Sequence, residues 1–69
     1  MQIIYNKLWK QLIDRKMSKT MLREQADIGK NTLAKLSKDE LVSMDVLIKI
    51  CDVLDCDIGD IVSVEKPKR

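Results

Sequence analysis

The sequence predicts an all-α fold, a compact bundle of five short helices within one domain. Apolar residues recur at helical spacing along the chain, and a serine or an aspartate precedes several of these segments where a helix would begin. The 69 residues are 45% apolar and 35% charged, which is typical of a folded domain. Because a domain of roughly 60 residues buries only about 60% of its unfolded surface, dimerisation would help to stabilise it.

The first two helices are predicted from an apolar stripe and a cap. The stripe follows helical spacing and comprises Tyr5, Leu8, Trp9, Leu12 and Ile13. Asn6 can cap this helix, or the helix starts slightly earlier. Ser18 can cap a second helix over residues 19–26, in which Leu22 and Ala26 lie one turn apart on the inner face.

A turn and a third helix come next. Asp27 tolerates the left-handed conformation and Gly29 tolerates almost any, so residues 27–29 are expected to break the chain, with Ile28 tucked under the helices. The third helix covers about 30–37. Its apolar face is thin, and we expect Leu33 and Leu36 to hold it to the core.

The fourth helix is predicted to be the central one. Ser43 can cap it, and Asp45 lies in its first turn, where a negative charge is favourable. Its apolar residues surround it almost completely: Val46, Leu47, Ile50, Cys51, Val53 and Leu54. Asp57 and Asp60 form a pattern like a capping box, which predicts a last short helix carrying Ile61 and Val62 inward.

The two ends of the chain carry short β-branched segments. Ile3 and Ile4 are β-branched, as are residues near 62–64, so these segments can pair as a two-stranded β ribbon or be frayed. We expect the domain to span residues 1–64, with residues 65–69 as a basic tail that contains Pro67. Cys51 and Cys56 are interpreted as two free thiols in preference to a disulfide.

The charge distribution points to a polyanionic partner. The net charge is only +2, but residues 7–38 hold nine basic and three acidic residues, whereas residues 39–65 hold one basic and eight acidic residues. A basic segment of this kind favours a partner such as nucleic acid, although charged residues also simply solvate surfaces.

Several other classes of protein are disfavoured. No apolar run approaches the ~18 residues that a membrane span needs, and the first residues lack the pattern of a signal peptide, so we expect a cytoplasmic protein. The chain has no histidine and two cysteines, too few ligands for a zinc site. No glycine-rich phosphate loop or paired carboxylates indicate an enzyme, a cofactor or a small-molecule substrate.

Two short helices joined by a three-residue turn form the helix-turn-helix pattern. The chain resembles the phage Cro/repressor-type helix-turn-helix family, also called the XRE family, over about residues 5–62. The resemblance lies in the order of four segments: Ser18-Lys-Thr-Met-Leu22, Ile28-Gly-Lys-Asn-Thr-Leu33, Ser43-Met-Asp-Val-Leu-Ile-Lys-Ile50 and Leu54-Asp-Cys-Asp-Ile58. The sequence departs from the family pattern at Arg23, where a small residue is usual, at Asp27, where glycine is usual, and at Ser37, where glutamate is frequent.

The resemblance implies a lambda-repressor-like DNA-binding fold and a transcriptional regulator, expected here to be a repressor, that reads duplex DNA as a homodimer. In this family the second motif helix enters the major groove. The residues expected to contact bases are Lys30, Asn31, Thr32 and Lys35, and those expected to contact phosphates are Ser18, Lys19, Thr20 and Lys38. Two simpler readings stay open: the lysines form a solvated helix face, and Asn31 only caps its helix.

The apolar residues near the C-terminus are expected to form the dimer surface: Ile58, Ile61, Val62 and Val64. The alternative function is an antitoxin-like or other protein-interaction module that is built on the same fold and binds DNA weakly or not at all.

Overall fold

The computed structural model describes residues 2–66, which form four α-helices, one 3₁₀ helix and a two-stranded antiparallel sheet. In chain order the elements are β1 (Gln2–Ile4), α1 (Asn6–Asp14), α2 (Lys19–Ala26), α3 (Lys30–Ser37), α4 (Met44–Leu54), the 3₁₀ helix (Ile58–Asp60) and β2 (Ser63–Glu65). The first four predicted helices are therefore confirmed. The domain is mostly helical rather than purely all-α.

Serine side chains start α2 and α4, as predicted. The Ser18 hydroxyl accepts a hydrogen bond from the backbone N–H of Met21 at 3.1 Å, and the Ser43 hydroxyl accepts one from Val46 at 3.3 Å. These bonds satisfy backbone donors that the first turn of a helix leaves without a partner.

Of the two predicted starts of α1, the cap at Asn6 is wrong and the slightly earlier start is confirmed. Tyr5 is the N-cap residue and Asn6 is already helical. The backbone N–H of Tyr5 donates to a carboxylate oxygen of Asp39 at 3.2 Å, so the partner comes from a residue 34 positions later. A local pattern cannot predict a partner at that distance along the chain.

The predicted fifth helix is a single 3₁₀ turn. Its capping box is confirmed, with the Asp57 carboxylate accepting from the backbone N–H of Asp60 and the Asp60 carboxylate accepting from that of Asp57 at 3.0 Å. The Asp57 carboxylate also accepts from the backbone N–H of Ile58 at 2.8 Å. The turn ends at Asp60, because Ile61 is fully buried in the core and the chain then continues into β2.

The β ribbon forms, and it joins the two chain ends. Gln2 pairs with Glu65, Ile3 with Val64 and Ile4 with Ser63. Glu65, which we assigned to the tail, is thus part of the sheet, so the folded domain extends at least one residue past 64. Residues 67–69 of the predicted tail lie outside the described residues.

The core lies where α2 packs on α4, and α1, α3 and the 3₁₀ turn close it. Its fully buried side chains are Tyr5, Leu8, Leu22, Leu36, Ile50, Leu54 and Ile61. Two expectations need correction. Ile13 is 75% exposed, because it lies at the edge of its stripe beyond the half-buried Trp9. Helix α4 is buried on one face only, since Met44 and Ile48 are exposed.

Side chains of α1 and of its C-cap residue Arg15 contact the ends of other elements. Arg15 donates to the backbone oxygen of Leu54 at 2.6 Å, which places a cation at the C-terminal end of α4. Lys7 and Gln11 donate to the backbone oxygens of Gly59 and Asp60 in the 3₁₀ turn, at 3.1 and 3.0 Å.

None of the helices within residues 2–66 has the length and hydropathy of a membrane span.

Candidate nucleic-acid interface

The turn between α2 and α3 is built around a left-handed aspartate. Asp27 has φ 54° and ψ 50°, the left-handed conformation that aspartate tolerates. The backbone N–H of Ile28 donates to the oxygen of Arg23 at 3.1 Å, which closes the end of α2. The Ile28 side chain is buried, as predicted, so it anchors the turn and fixes how α3 leaves it.

Helix α3 presents its polar residues to solvent. Leu36 is fully buried and Leu33 is half-buried, and these two hold the inner face as predicted. Asn31, Lys35 and Lys38 follow one another at intervals of four and three residues, so they form a row along the outer face, and all three are exposed.

The other residues of α3 differ in how much of their side chains is exposed to solvent. Lys30 is exposed at the first helical position, and the exposed Ala34 lies beside the row, where its small side chain leaves room for a close approach. Thr32 is half-buried and lies towards the inner side, so it is the least accessible of the predicted base-contacting residues.

The N-terminus of α3 carries no side-chain cap. Gly29 is the N-cap residue, with an extended backbone at φ −78° that any residue adopts. The simpler reading in which Asn31 caps the helix is therefore wrong. Because the first N–H groups of a helix lack intrahelical partners, this end offers donors and a positive dipole next to Lys30 and Asn31.

The start of α2 lies against both α1 and α3 through Lys19. The Lys19 ammonium is 4.3 Å from the centre of the Trp9 ring and 3.3 Å from the Ser37 hydroxyl oxygen. Lys19 therefore ties the start of α2 to the end of α3. Sequence reasoning assigned Trp9 to core packing and missed this contact, because no local spacing reveals it.

The other predicted phosphate-contacting residues are exposed. Ser18 uses its oxygen as the cap of α2, but its hydroxyl hydrogen stays available to donate. Thr20 lies exposed in the first turn of α2, and Lys38 lies exposed at the C-cap of α3. The structure thus brings the start of α2 and the outer face of α3 to neighbouring positions.

The loop after α3 is held by Tyr5, a second contact that sequence reasoning missed. The Tyr5 hydroxyl donates to the backbone oxygen of Glu40 at 2.7 Å, and the ring is fully buried. Burial raises the pKa of Tyr5 above its ordinary value, and the negative charge of Asp39 raises it further, whereas a backbone hydrogen bond with Val42 opposes the rise.

The lysines of α3 keep their charge unpaired within the described chain. Among residues 2–66 the ion pair that forms is between Lys49 and Asp45 of α4, at 3.5 Å. No group of three or more potential metal ligands occurs within that same part of the chain. The outer face of α3 therefore offers uncompensated cations and one amide.

Comparison with known proteins gives the family. Residues 7–67 match the family described as the Cro/C1-type HTH DNA-binding domain. The chain belongs to this family. The Cro/C1-type chain is also similar to the crystal structure of transcriptional regulator VanUg, Form II, with 55% sequence identity and a TM-score of 0.88. That match covers 90% of this chain and 83% of the other. A comparison with curated proteins found no significant match.

Two predictions are confirmed by these comparisons. The chain has the helix-turn-helix fold of the Cro/C1 type, and it is a DNA-binding domain of the kind found in transcriptional regulators rather than a member of an enzyme family. Residues 18–38 contain the two motif helices whose geometry is described above.

Proposed function

We propose that this Cro/C1-type domain is a sequence-specific repressor in the cytoplasm, which inserts α3 into the major groove of duplex DNA. The observation that carries the proposal is the outer face of α3, where Lys30, Asn31, Lys35 and Lys38 are exposed and have no acidic partner within residues 2–66. A helix with this face fits the major groove, which is about 12 Å wide.

The bases are read by side chains along α3. Asn31 is suited to a bidentate pair with adenine N6 and N7, and Lys30 and Lys35 to the O6 and N7 acceptors of guanine. Thr32 is half-buried, so its role is limited to a contact with a thymine methyl group or with a phosphate close to the helix.

Phosphate binding falls to the start of α2 and the end of α3. Ser18, Thr20 and the N-terminal dipole of α2 favour one phosphate, and Lys19 adds a charge there. The contact of Lys19 with the Trp9 ring restricts its side chain, so less conformational entropy is lost when it meets the backbone of DNA. Lys38 extends the same role beyond α3.

Selection of bound duplexes from a random pool, followed by anisotropy titrations, tests base reading. Lys30→Ala and Asn31→Ala should each cost about 1–3 kcal/mol of binding free energy and relax preference at one base pair. Lys49→Ala removes the same charge from α4 and should leave affinity within about twofold, since Lys49 pairs with Asp45. A pool that shows no enrichment, or equal losses in all three variants, would favour the protein-interaction module.

We further propose that the domain binds as a homodimer. Of the predicted dimer residues, Ile61 is wrong because its side chain is fully buried, whereas Ile58 and Val62 are half-buried and Val64 is 61% exposed. A dimer spaces its two α3 helices by one helical turn of DNA, about 34–36 Å, and a dimer bound there blocks other proteins from the same grooves.

Sedimentation equilibrium tests the dimer surface. Val64→Ser should weaken self-association, and Ile13→Ser, which replaces an exposed apolar residue at the end of α1, should not. The structure also exposes Leu41 in the loop before α4, and Met44 and Ile48 one turn apart on α4, which sequence reasoning did not single out. If Ile48→Ser weakens association and Val64→Ser does not, the proposed surface is wrong.

A further inference from the structure

Cys51 and Cys56 meet at the C-terminal end of α4. Asp55 ends the helix in the left-handed conformation, with φ 50° and ψ 56°, and the backbone N–H of Cys56 then turns back to the backbone oxygen of Cys51 at 3.2 Å. This is the six-to-one hydrogen bond of a Schellman motif, in which the side chains at these two positions come into contact.

We propose that Cys51 and Cys56 form a thiol–disulfide exchange site, which closes into an intramolecular disulfide when it reacts with a small-molecule disulfide such as oxidised glutathione. Both cysteines are free, and neither residue is fully buried. A disulfide needs Cα atoms about 4.4–6.8 Å apart. The backbone hydrogen bond from Cys56 to Cys51 joins the two residues across one tight turn, the kind of close approach that this chemistry requires.

The exchange proceeds in two balanced steps. One cysteine thiolate attacks a sulfur of oxidised glutathione, forms a mixed disulfide and releases one glutathione thiolate. The second cysteine then loses its proton and attacks the protein sulfur of the mixed disulfide, which releases the second glutathione. Two protein thiols are oxidised, one glutathione disulfide is reduced to two thiols, and the two protons end on those thiols.

The order of attack follows from the surroundings of Cys51. Burial, then the neighbouring Cys56 and the carboxylates of Asp57 and Asp52, together raise the pKa of the Cys51 thiol to about 11. Cys51 is therefore protonated at neutral pH, so the first attack falls to Cys56 and Cys51 closes the ring.

The fold itself should favour closure. In an unfolded chain, two cysteines that are five positions apart can also meet. Each such encounter costs the conformational entropy of ordering the residues between them. The native turn has already ordered them, so closure should be favoured about tenfold or more over the unfolded chain. The thermodynamic cycle then requires the disulfide to lower the unfolding equilibrium constant by the same factor.

The experiment treats the reduced full-length chain with oxidised and reduced glutathione at set ratios, natively and in concentrated urea, and reads the products by mass spectrometry after acid quenching. The mass of the native protein should fall by two hydrogen atoms. Its equilibrium constant for disulfide closure should exceed that of the urea-unfolded chain by about tenfold or more. The oxidised protein should show a matching decrease in its unfolding constant, measured in urea by circular dichroism.

Two matched variants separate closure from simple reactivity. Cys51→Ala should accumulate a stable glutathione adduct on Cys56, and Cys56→Ala should react much more slowly at Cys51. The proposal is overturned if the native protein gathers one or two stable adducts without closing, or if closure is equally favourable in urea. Unequal factors from the redox and unfolding measurements would also overturn it.

Discussion

Replacing Tyr5 with phenylalanine removes one hydroxyl from the core and tests how the loop after α3 is held. The ring is fully buried, and its hydroxyl donates to the backbone oxygen of Glu40 at 2.7 Å. Phenylalanine keeps the ring packing but leaves that oxygen without its donor. Loss of this part-buried hydrogen bond costs about 1–2 kcal/mol.

Urea unfolding followed by circular dichroism measures this loss. For a domain of this size, each kcal/mol also lowers Tm by about 4–8 °C, so thermal unfolding should show a decrease of roughly 5–15 °C. The dependence of the unfolding free energy on urea should keep its slope, because the exposed surface is unchanged. Equal stability of the two proteins, within about 0.3 kcal/mol, would show that the bond does not hold the loop.

The same pair of proteins gives a test by pH. Burial and Asp39 raise the pKa of folded Tyr5 above its ordinary 10.0, so its stabilising effect is complete below pH 10 and is lost as the pH rises through the folded value. Cys51, raised from 9.0 to about 11, loses stability in an overlapping window that begins lower. In a Cys51→Ala background, the loss above pH 10 should therefore be larger with tyrosine than with phenylalanine, and identical curves would refute the assignment.

Three further outcomes are expected. Ser18→Ala and Ser43→Ala both remove an N-cap and should each cost about 1 kcal/mol of stability, but only Ser18→Ala should also weaken DNA binding in anisotropy titrations. Lys16→Gly should raise the unfolding free energy by about 1 kcal/mol in urea, because Lys16 has φ 55°, and Lys16→Ala should bring no such gain. Lys38→Ala should make the slope of log K against log salt shallower by about 0.9 for each bound protomer, and an unchanged slope would remove Lys38 from the phosphate contacts.

The elements that sequence reasoning predicted well are those specified by neighbouring residues. Ser18, Ser43 and the pair Asp57 and Asp60 mark helix starts within three residues of the groups they satisfy, and all of these caps form. Helix α3 was placed correctly because Asp27 and Ile28 define the turn before it.

The errors concern partners that are distant along the chain. Asp39 accepts the backbone N–H of Tyr5 and Trp9 lies under Lys19, and neither pairing leaves a signal in local spacing. Ile13 fits the apolar pattern of α1 but is exposed, since no described element covers it. Apolar periodicity predicts that a face is apolar. It does not predict which other element covers that face.

The candidate site was predicted at the level of its helix, and the structure refines which side chains reach solvent. Lys30, Asn31, Lys35 and Lys38 lie on the exposed side of α3, whereas Thr32 is half-buried and Lys19 is engaged with Trp9 and Ser37. Sequence spacing placed all of these residues near the interface. Only the packing of α3 on its neighbours decides their relative access.

Intermolecular nuclear Overhauser effects, measured between the isotope-labelled chain and its selected duplex, test the placement of α3 most directly. We predict contacts from the side chains of Asn31 and Lys35 to base protons in the major groove, with amide shifts concentrated in residues 18–20 and 29–38. Contacts that come instead from α4 or β2, or that reach only minor-groove protons, would contradict the proposed docking of α3.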